Sequence, residues 1–134
     1  MTPVLVALTE TGAALARRIR DHLPGAVVHG FEGRVTSSDV AFASTAAHLR
    51  HLFAAGQPIV GICAAGILVR ALAPCLADKH AEPPVLAVAE DGSTVVPLLG
   101  GHRGANELAR RIAGAIGGVA AITTASDVAL RVAL

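Results

Sequence analysis

The 134-residue sequence predicts an α/β fold: a three-layer, mostly parallel sheet with helices on both faces and an antiparallel edge hairpin, in a Rossmann-like arrangement. Three observations predict it. Short Val/Ile/Leu-rich runs alternate with segments whose apolar residues recur at helical spacing. Pro58 to Cys63 is almost wholly apolar, as a strand buried on both faces of a parallel sheet must be. Asp91-Gly92 separates two β-rich segments, and this dipeptide accepts the positive φ of a tight antiparallel turn.

Taken in order, Val4 to Leu8 is the first strand, Thr9 to Gly12 its loop, and Leu15, Ile19 and Leu23 mark the buried face of a helix. Pro24 and Gly25 punctuate before a second strand at Ala26 to His29. Ser37, Ser38 and Asp39 offer cap oxygens to a helix whose inner face is Phe42, Ala46, Leu49 and Phe53. Gly56 ends that helix, and the apolar strand follows. A third helix begins near Gly66 and breaks around Pro74. Val85 to Glu90 and Thr94 to Leu99 form the hairpin, in which Pro97, having no N–H, favours an edge. Ala105, Leu108, Ala109, Ile112, Ala113 and Ile116 give the clearest amphipathic helix, closed by Gly117 and Gly118. Val119 to Thr123 is the last strand, and Ser126 or Asp127 caps a terminal helix.

Composition narrows the function classes. Ten Arg and one Lys are scattered rather than clustered, and with only three Phe and no Trp or Tyr there is no stacking platform for bases, so no nucleic-acid partner is expected. The longest apolar stretch, Pro58 to Val69, falls far short of the roughly 18 residues that span a bilayer, and no signal-type leader is visible. No membrane association and a cytoplasmic location are therefore expected. Cys63 and Cys75 match no metal-ligand spacing and read as core packing. His48 and His51 lie one turn apart without a third ligand and read as a solvated helix face; no protein-bound metal is expected. Neither GxGxxG nor GxxxxGK[ST] occurs, so neither nucleotide fingerprint can be assigned.

Ligands of open α/β sheets bind beyond the carboxyl ends of the strands, where loops and helix N-termini expose backbone N–H groups. Thr9 to Gly12, Ala64 to Gly66, Gly100 to Asn106 and Thr123 to Asp127 are read as such loops. Gly100-Gly101-His102-Arg103-Gly104-Ala105-Asn106 stands out, because its glycines let backbone approach a ligand while His102 and Asn106 supply transferable protons and hydrogen bonds. Arg103 reads as solvent-facing. Arg70 interrupts an apolar stretch, where a guanidinium calls for a carboxylate or ligand partner. Asp78-Lys79 reads as an exposed ion pair, and Ser126-Asp127 first of all as a helix cap.

Several of these residues fall into one ordered set. Gly66-Ile67-Leu68-Val69-Arg70, Leu72-Ala73-Pro74, Asp78-Lys79, Glu90-Asp91-Gly92, Pro97 to His102, Gly104 to Ala109 and Thr123-Thr124-Ala125-Ser126-Asp127 resemble the N-terminal domain of the CbiG family of cobalamin biosynthesis, the cobalt-precorrin-5A hydrolases. The likeness runs from about Gly61 to Asp127. It implies a single α/β domain over 1–134, a module of a longer protein or complex, that binds a tetrapyrrole and takes part in opening its δ-lactone with release of acetaldehyde. His102 and Asn106 are the catalytic candidates that follow. Gly66, Arg70, Lys79, Gly101, Gly104, Thr123, Thr124, Ser126 and Asp127 are the substrate-binding ones. No cofactor is implied, since any cobalt is carried by the substrate. Another cobalamin-biosynthesis domain or chain, or a second copy, is the implied protein partner. The resemblance admits an alternative: a non-catalytic binding or scaffolding domain associated with, or fused to, the precorrin-3B ring-contraction methyltransferase.

Overall fold

The computed structural model describes residues 1–77 and 81–124. In chain order the elements are β1 (Val4–Ala7), α1 (Glu10–Arg20), β2 (Val27–Phe31), β3 (Val40–Phe42), α2 (Thr45–Ala54), β4 (Ile59–Ile62), α3 (Ala65–Leu72), β5 (Val85–Val88), β6 (Thr94–Leu99), α4 (Ala105–Ile116) and β7 (Val119–Ala120). They form one sheet in the order β3-β2-β1-β4-β5-β6-β7. Every neighbouring pair is parallel except β5 and β6, which run antiparallel through the turn at Asp91-Gly92.

Strand alternation divides the core into two layers. On one face Leu5, Val28, Val60, Ile62, Leu86 and Val88 pack against Leu15 and Ile19 of α1 and Ala109 and Ile112 of α4. On the other, Val4, Val6, Ile59, Val85 and Ala87 meet Leu49 and Phe53 of α2 and Leu68 and Leu72 of α3. Leu5, Ile19, Leu86 and Ile112 are at most 1% exposed, so each contributes about 1.5–3 kcal/mol of burial. Helices on both faces of a mostly parallel sheet are the three-layer architecture expected from the sequence.

The hairpin lies at one end of the sheet. Ser93 and Val95 accept hydrogen bonds at 2.9 Å from Val119 and Ala121. By the two-residue alternation of an antiparallel strand, Pro97 turns its ring nitrogen to that same outer side, beyond the reach of β7, which pairs only with Thr94 and Val95. The edge preference of Pro97 is thereby met.

Two expectations about elements are corrected. Ser37, Ser38 and Asp39 do not cap a helix. Ser44 caps α2, its hydroxyl accepting from Ala47 N, and Phe42 sits in a short strand, β3, ahead of it. The Asp39 carboxylate instead accepts from Val28 N at 2.8 Å and pairs with Arg20 at 3.1 Å, tying β2 to α1. The last strand is also shorter than expected, ending at Ala120. The terminal helix expected after Ser126 lies outside the described residues.

Candidate functional site

Because β6 and β7 run against the other five strands, the two ends of the sheet carry different loops. At the carboxyl ends of the parallel strands lie Thr9–Gly12, the first turn of α3 and the Glu90–Gly92 turn. At their amino ends lie Pro83–Pro84, the loop that leaves β6 at Gly100, and the chain that follows β7. Gly100 to Asn106 and Thr123–Thr124 are therefore not at the carboxyl ends, as the sequence reading placed them. The register settles this: Leu99 pairs with Val85, the first residue of β5.

At the amino end, β6 passes into a tight loop. Gly100 takes φ +71°, Gly101–Arg103 make one 3₁₀ turn, and Gly104 takes φ +105° before α4 begins. Arg103 N and Ala105 N both donate to the Gly100 carbonyl, at 2.9 and 3.1 Å, which fixes the turn that presents His102 to solvent. Asn106, in the first turn of α4, is only 4% exposed, and its Nδ2 donates to Thr124 Oγ1 at 2.7 Å. A Cβ on Gly101 would stand 3.1 Å from Thr124 Cγ2, so the absence of a side chain lets the two segments close together. Glu82, Gly101, His102, Asn106, Thr123 and Thr124 share a cleft of about 320 Å³. Gly104 lies just outside it, on the wall of an adjoining groove of about 660 Å³.

Gly66 and Arg70 stand at the other end. A Cβ on Gly66 would meet Arg70 Nη1 at 3.1 Å, so the guanidinium folds back over the first turn of α3. That end has its own cleft, of about 290 Å³, lined among others by Thr9, Arg34, Cys63 and Glu90. Thr9 caps α1, accepting from Gly12 N at 3.0 Å, and donates to Glu90 at 2.8 Å. Burial, reinforced by Glu90, pushes the Cys63 thiol up to about 11, so it is not a nucleophile at neutral pH. The structure thus brings His102, Asn106, Gly101, Thr123 and Thr124 together, places Gly104 beside them, and leaves Gly66 and Arg70 apart. Lys79, Ser126 and Asp127 lie outside the described residues.

His48 is not on a solvated face. Its Nε2 lies 2.8 Å from His29 Nδ1, and its ring stacks on Phe42 at 4.5 Å and 4°. One imidazole must donate and the other accept, so the contact needs at least one neutral ring, and burial holds both below the ordinary histidine range. Among the described residues, no group of three or more His, Cys, Asp or Glu side chains is placed to hold a metal ion, and no helix is long and apolar enough to cross a membrane. Glu82 and Arg111, which line the amino-end cavities, carried no motif and were missed; only the Pro83-Pro84 pair hints that the chain turns there.

The fold defines a doubly wound α/β domain whose polar cleft lies beside a glycine-flanked histidine at the amino end of the sheet. The cobalamin synthesis G N-terminal family model matches residues 47–127, and the chain belongs to that family. It is 41% identical over 128 residues to the cobalt-precorrin-5A hydrolase of Salmonella typhimurium, covering 92% of this chain and 36% of that protein. With the cobalt-precorrin-5A hydrolase of Priestia megaterium it shares 42% identity over 81 residues, 60% of this chain and 22% of the relative. The chain thus spans about a third or less of the curated relatives it matches. A crystal structure of a cobalamin biosynthesis protein G homolog from Sulfolobus solfataricus superposes with a TM-score of 0.68 at 18% identity, over 96% of this chain and 39% of that one, a likeness of fold.

Proposed function

We propose that the chain is the N-terminal domain of a cobalt-precorrin-5A hydrolase acting in cytoplasmic cobalamin biosynthesis, and that it holds the tetrapyrrole while its δ-lactone is opened. Identity of 41% to such a hydrolase along 92% of the chain carries the reading. In this proposal His102 takes a proton from a water molecule whose oxygen attacks the lactone carbonyl. The ring C–O bond then breaks, the departing oxygen regains a proton, and a carboxylate remains; acetaldehyde leaves afterwards. Asn106 Nδ2 donates to Thr124 Oγ1 and so fixes Thr124, whose hydroxyl proton is left to donate to the developing oxyanion. Gly101 and Thr123 complete the wall. Any cobalt enters with the substrate. The remaining two-thirds of the hydrolase, as a domain or separate chain, is the proposed partner, with self-association as a second possibility. Gly66 and Arg70, at the far end of the sheet, take no part in this step. Hydrolase relatives favour this reading over the methyltransferase-associated scaffold.

Titrating the chain with cobalt-precorrin-5A, followed by visible absorbance, with acetaldehyde assayed in the same mixture, tests the proposal. Binding with release marks a self-sufficient hydrolase domain. Binding without release marks the substrate-holding part of a larger enzyme. Absence of binding overturns the reading. Where turnover is restored by the rest of the hydrolase, His102→Ala abolishes it and leaves tetrapyrrole binding intact; unchanged turnover removes His102 from the mechanism.

A further inference from the structure

We propose that the groove beside the His102 cleft is a polycarboxylate-binding surface, anchored by Arg103 and Arg111, which takes the acidic side chains of the ligand. The inference rests on the tetrapyrrole reading for its natural ligand, but its geometry stands separately. The groove, of about 660 Å³, and the His102 cleft, of about 320 Å³, meet at Glu82 and Arg103, which line both. A ligand too large for the cleft therefore has one direction in which to extend.

Arg103 projects from the glycine-flanked turn and is exposed, with no ion-pair partner among the described residues. Arg111 lies on α4 and donates Nη2 to the His22 carbonyl at 3.1 Å. That single bond pins the guanidinium against the groove wall and leaves most of its five donors for a ligand. Arg103 ends the 3₁₀ turn ahead of α4 and Arg111 stands six residues into that helix, about 9 Å of rise from its first residue, so the groove offers two cations from different elements to different carboxylates. A ligand carrying several acidic side chains can engage both cations at once.

Glu82 gives the site polarity. Half-buried at the junction of the two cavities, its carboxylate repels acidic side chains from the passage to His102 and leaves the cleft to a neutral group such as a lactone ester. Arg34 and Arg70, beyond the opposite end of the strands, are out of reach of a ligand seated here.

Mellitate, a planar hexacarboxylate with neither lactone nor metal, is the probe. Added to the ¹⁵N-labelled chain at low salt, it is expected to shift the amide signals of Gly104, Leu108 and Arg111. Arg103→Gln and Arg111→Gln each weaken its binding about tenfold or more, the loss expected for a charge-assisted contact, whereas Arg18→Gln on α1 leaves it unchanged. No shifts, shifts centred on Arg34 and Arg70, or binding indifferent to both groove substitutions overturns the proposal. Circular dichroism confirms that the variants fold. Cobalt-precorrin-5A decides the tetrapyrrole reading independently: if it fails to bind while mellitate still seats at Arg103 and Arg111, the groove stands and its natural ligand is another polycarboxylate.

Discussion

Alanine at Gly100 tests the loop that carries His102 against a matched control at Gly104. Gly100 has φ +71°, and a Cβ there would stand 2.8 Å from Pro84 N and 2.9 Å from the Pro83 carbonyl oxygen. Both are backbone atoms just ahead of β5, so neither can swing aside. Gly104 has φ +105° with nothing within 4 Å of an added Cβ. Placing an L-residue in the left-handed region costs on the order of 1–2 kcal/mol. Overpacking against fixed backbone adds about 1–3 kcal/mol. Gly100→Ala should therefore destabilise by about 2–5 kcal/mol and Gly104→Ala by about 1–2 kcal/mol. With a urea slope of about 2 kcal/mol/M, the midpoint falls by roughly 1–2.5 M for the first and roughly 0.5–1 M for the second. Far-UV circular dichroism is the suitable probe, because the chain has no Trp or Tyr to report by fluorescence. Equal midpoint shifts would show that the approach to Pro83–Pro84 has no energetic weight, and the account of why glycine stands at position 100 would be wrong.

Two further predictions concern titratable groups. The Cys63 thiol, raised by burial to about 11, should resist iodoacetamide at pH 7.5 in the folded chain while Cys75 reacts, and both should react in denaturant; equal native rates would contradict the burial argument. His29 and His48 are both held below the ordinary value of 6.5 in the fold, so the unfolded chain takes up protons first. Their contribution to stability is complete above about pH 6.5 and is lost as pH falls below it. The urea midpoint should be lower at pH 5.5 than at pH 7.5, and His48→Phe, which keeps the stack on Phe42 without the titration, should narrow that difference. An undiminished difference in the variant would assign the pH effect elsewhere.

Helical periodicity made α1 and α4 legible because each buries one regular face, while β1 and β4 were legible as continuous apolar runs buried on both faces. β3 was not, since three residues are too few for a period of two to register and the polar Ser37-Ser38-Asp39 ahead of them resembles a helix cap. The His29–His48 contact escaped for another reason: it joins residues 19 apart, and no local pattern signals where a helix lands on a neighbouring strand. The cleft was half legible. His102, Asn106 and Thr124 were singled out together, yet Gly66 was grouped with them because all four loops were placed at the carboxyl ends of the strands, and Arg70 because it interrupts an apolar stretch. The missing step was already written at Asp91-Gly92. An antiparallel return reverses the strand it creates, so whatever follows β6 must emerge at the opposite end of the sheet.

Pro97 reaches beyond its own strand. Among the described residues β7 covers only the first two residues of β6, and an uncovered strand border is a template that a foreign strand could copy, in a chain whose hydrophobic content is 53%. A ring nitrogen facing outward at that border withholds the one proton an incoming backbone would need at that point. Among the described residues, sheet extension past the first two residues of β6 is thus interrupted by a single covalent ring.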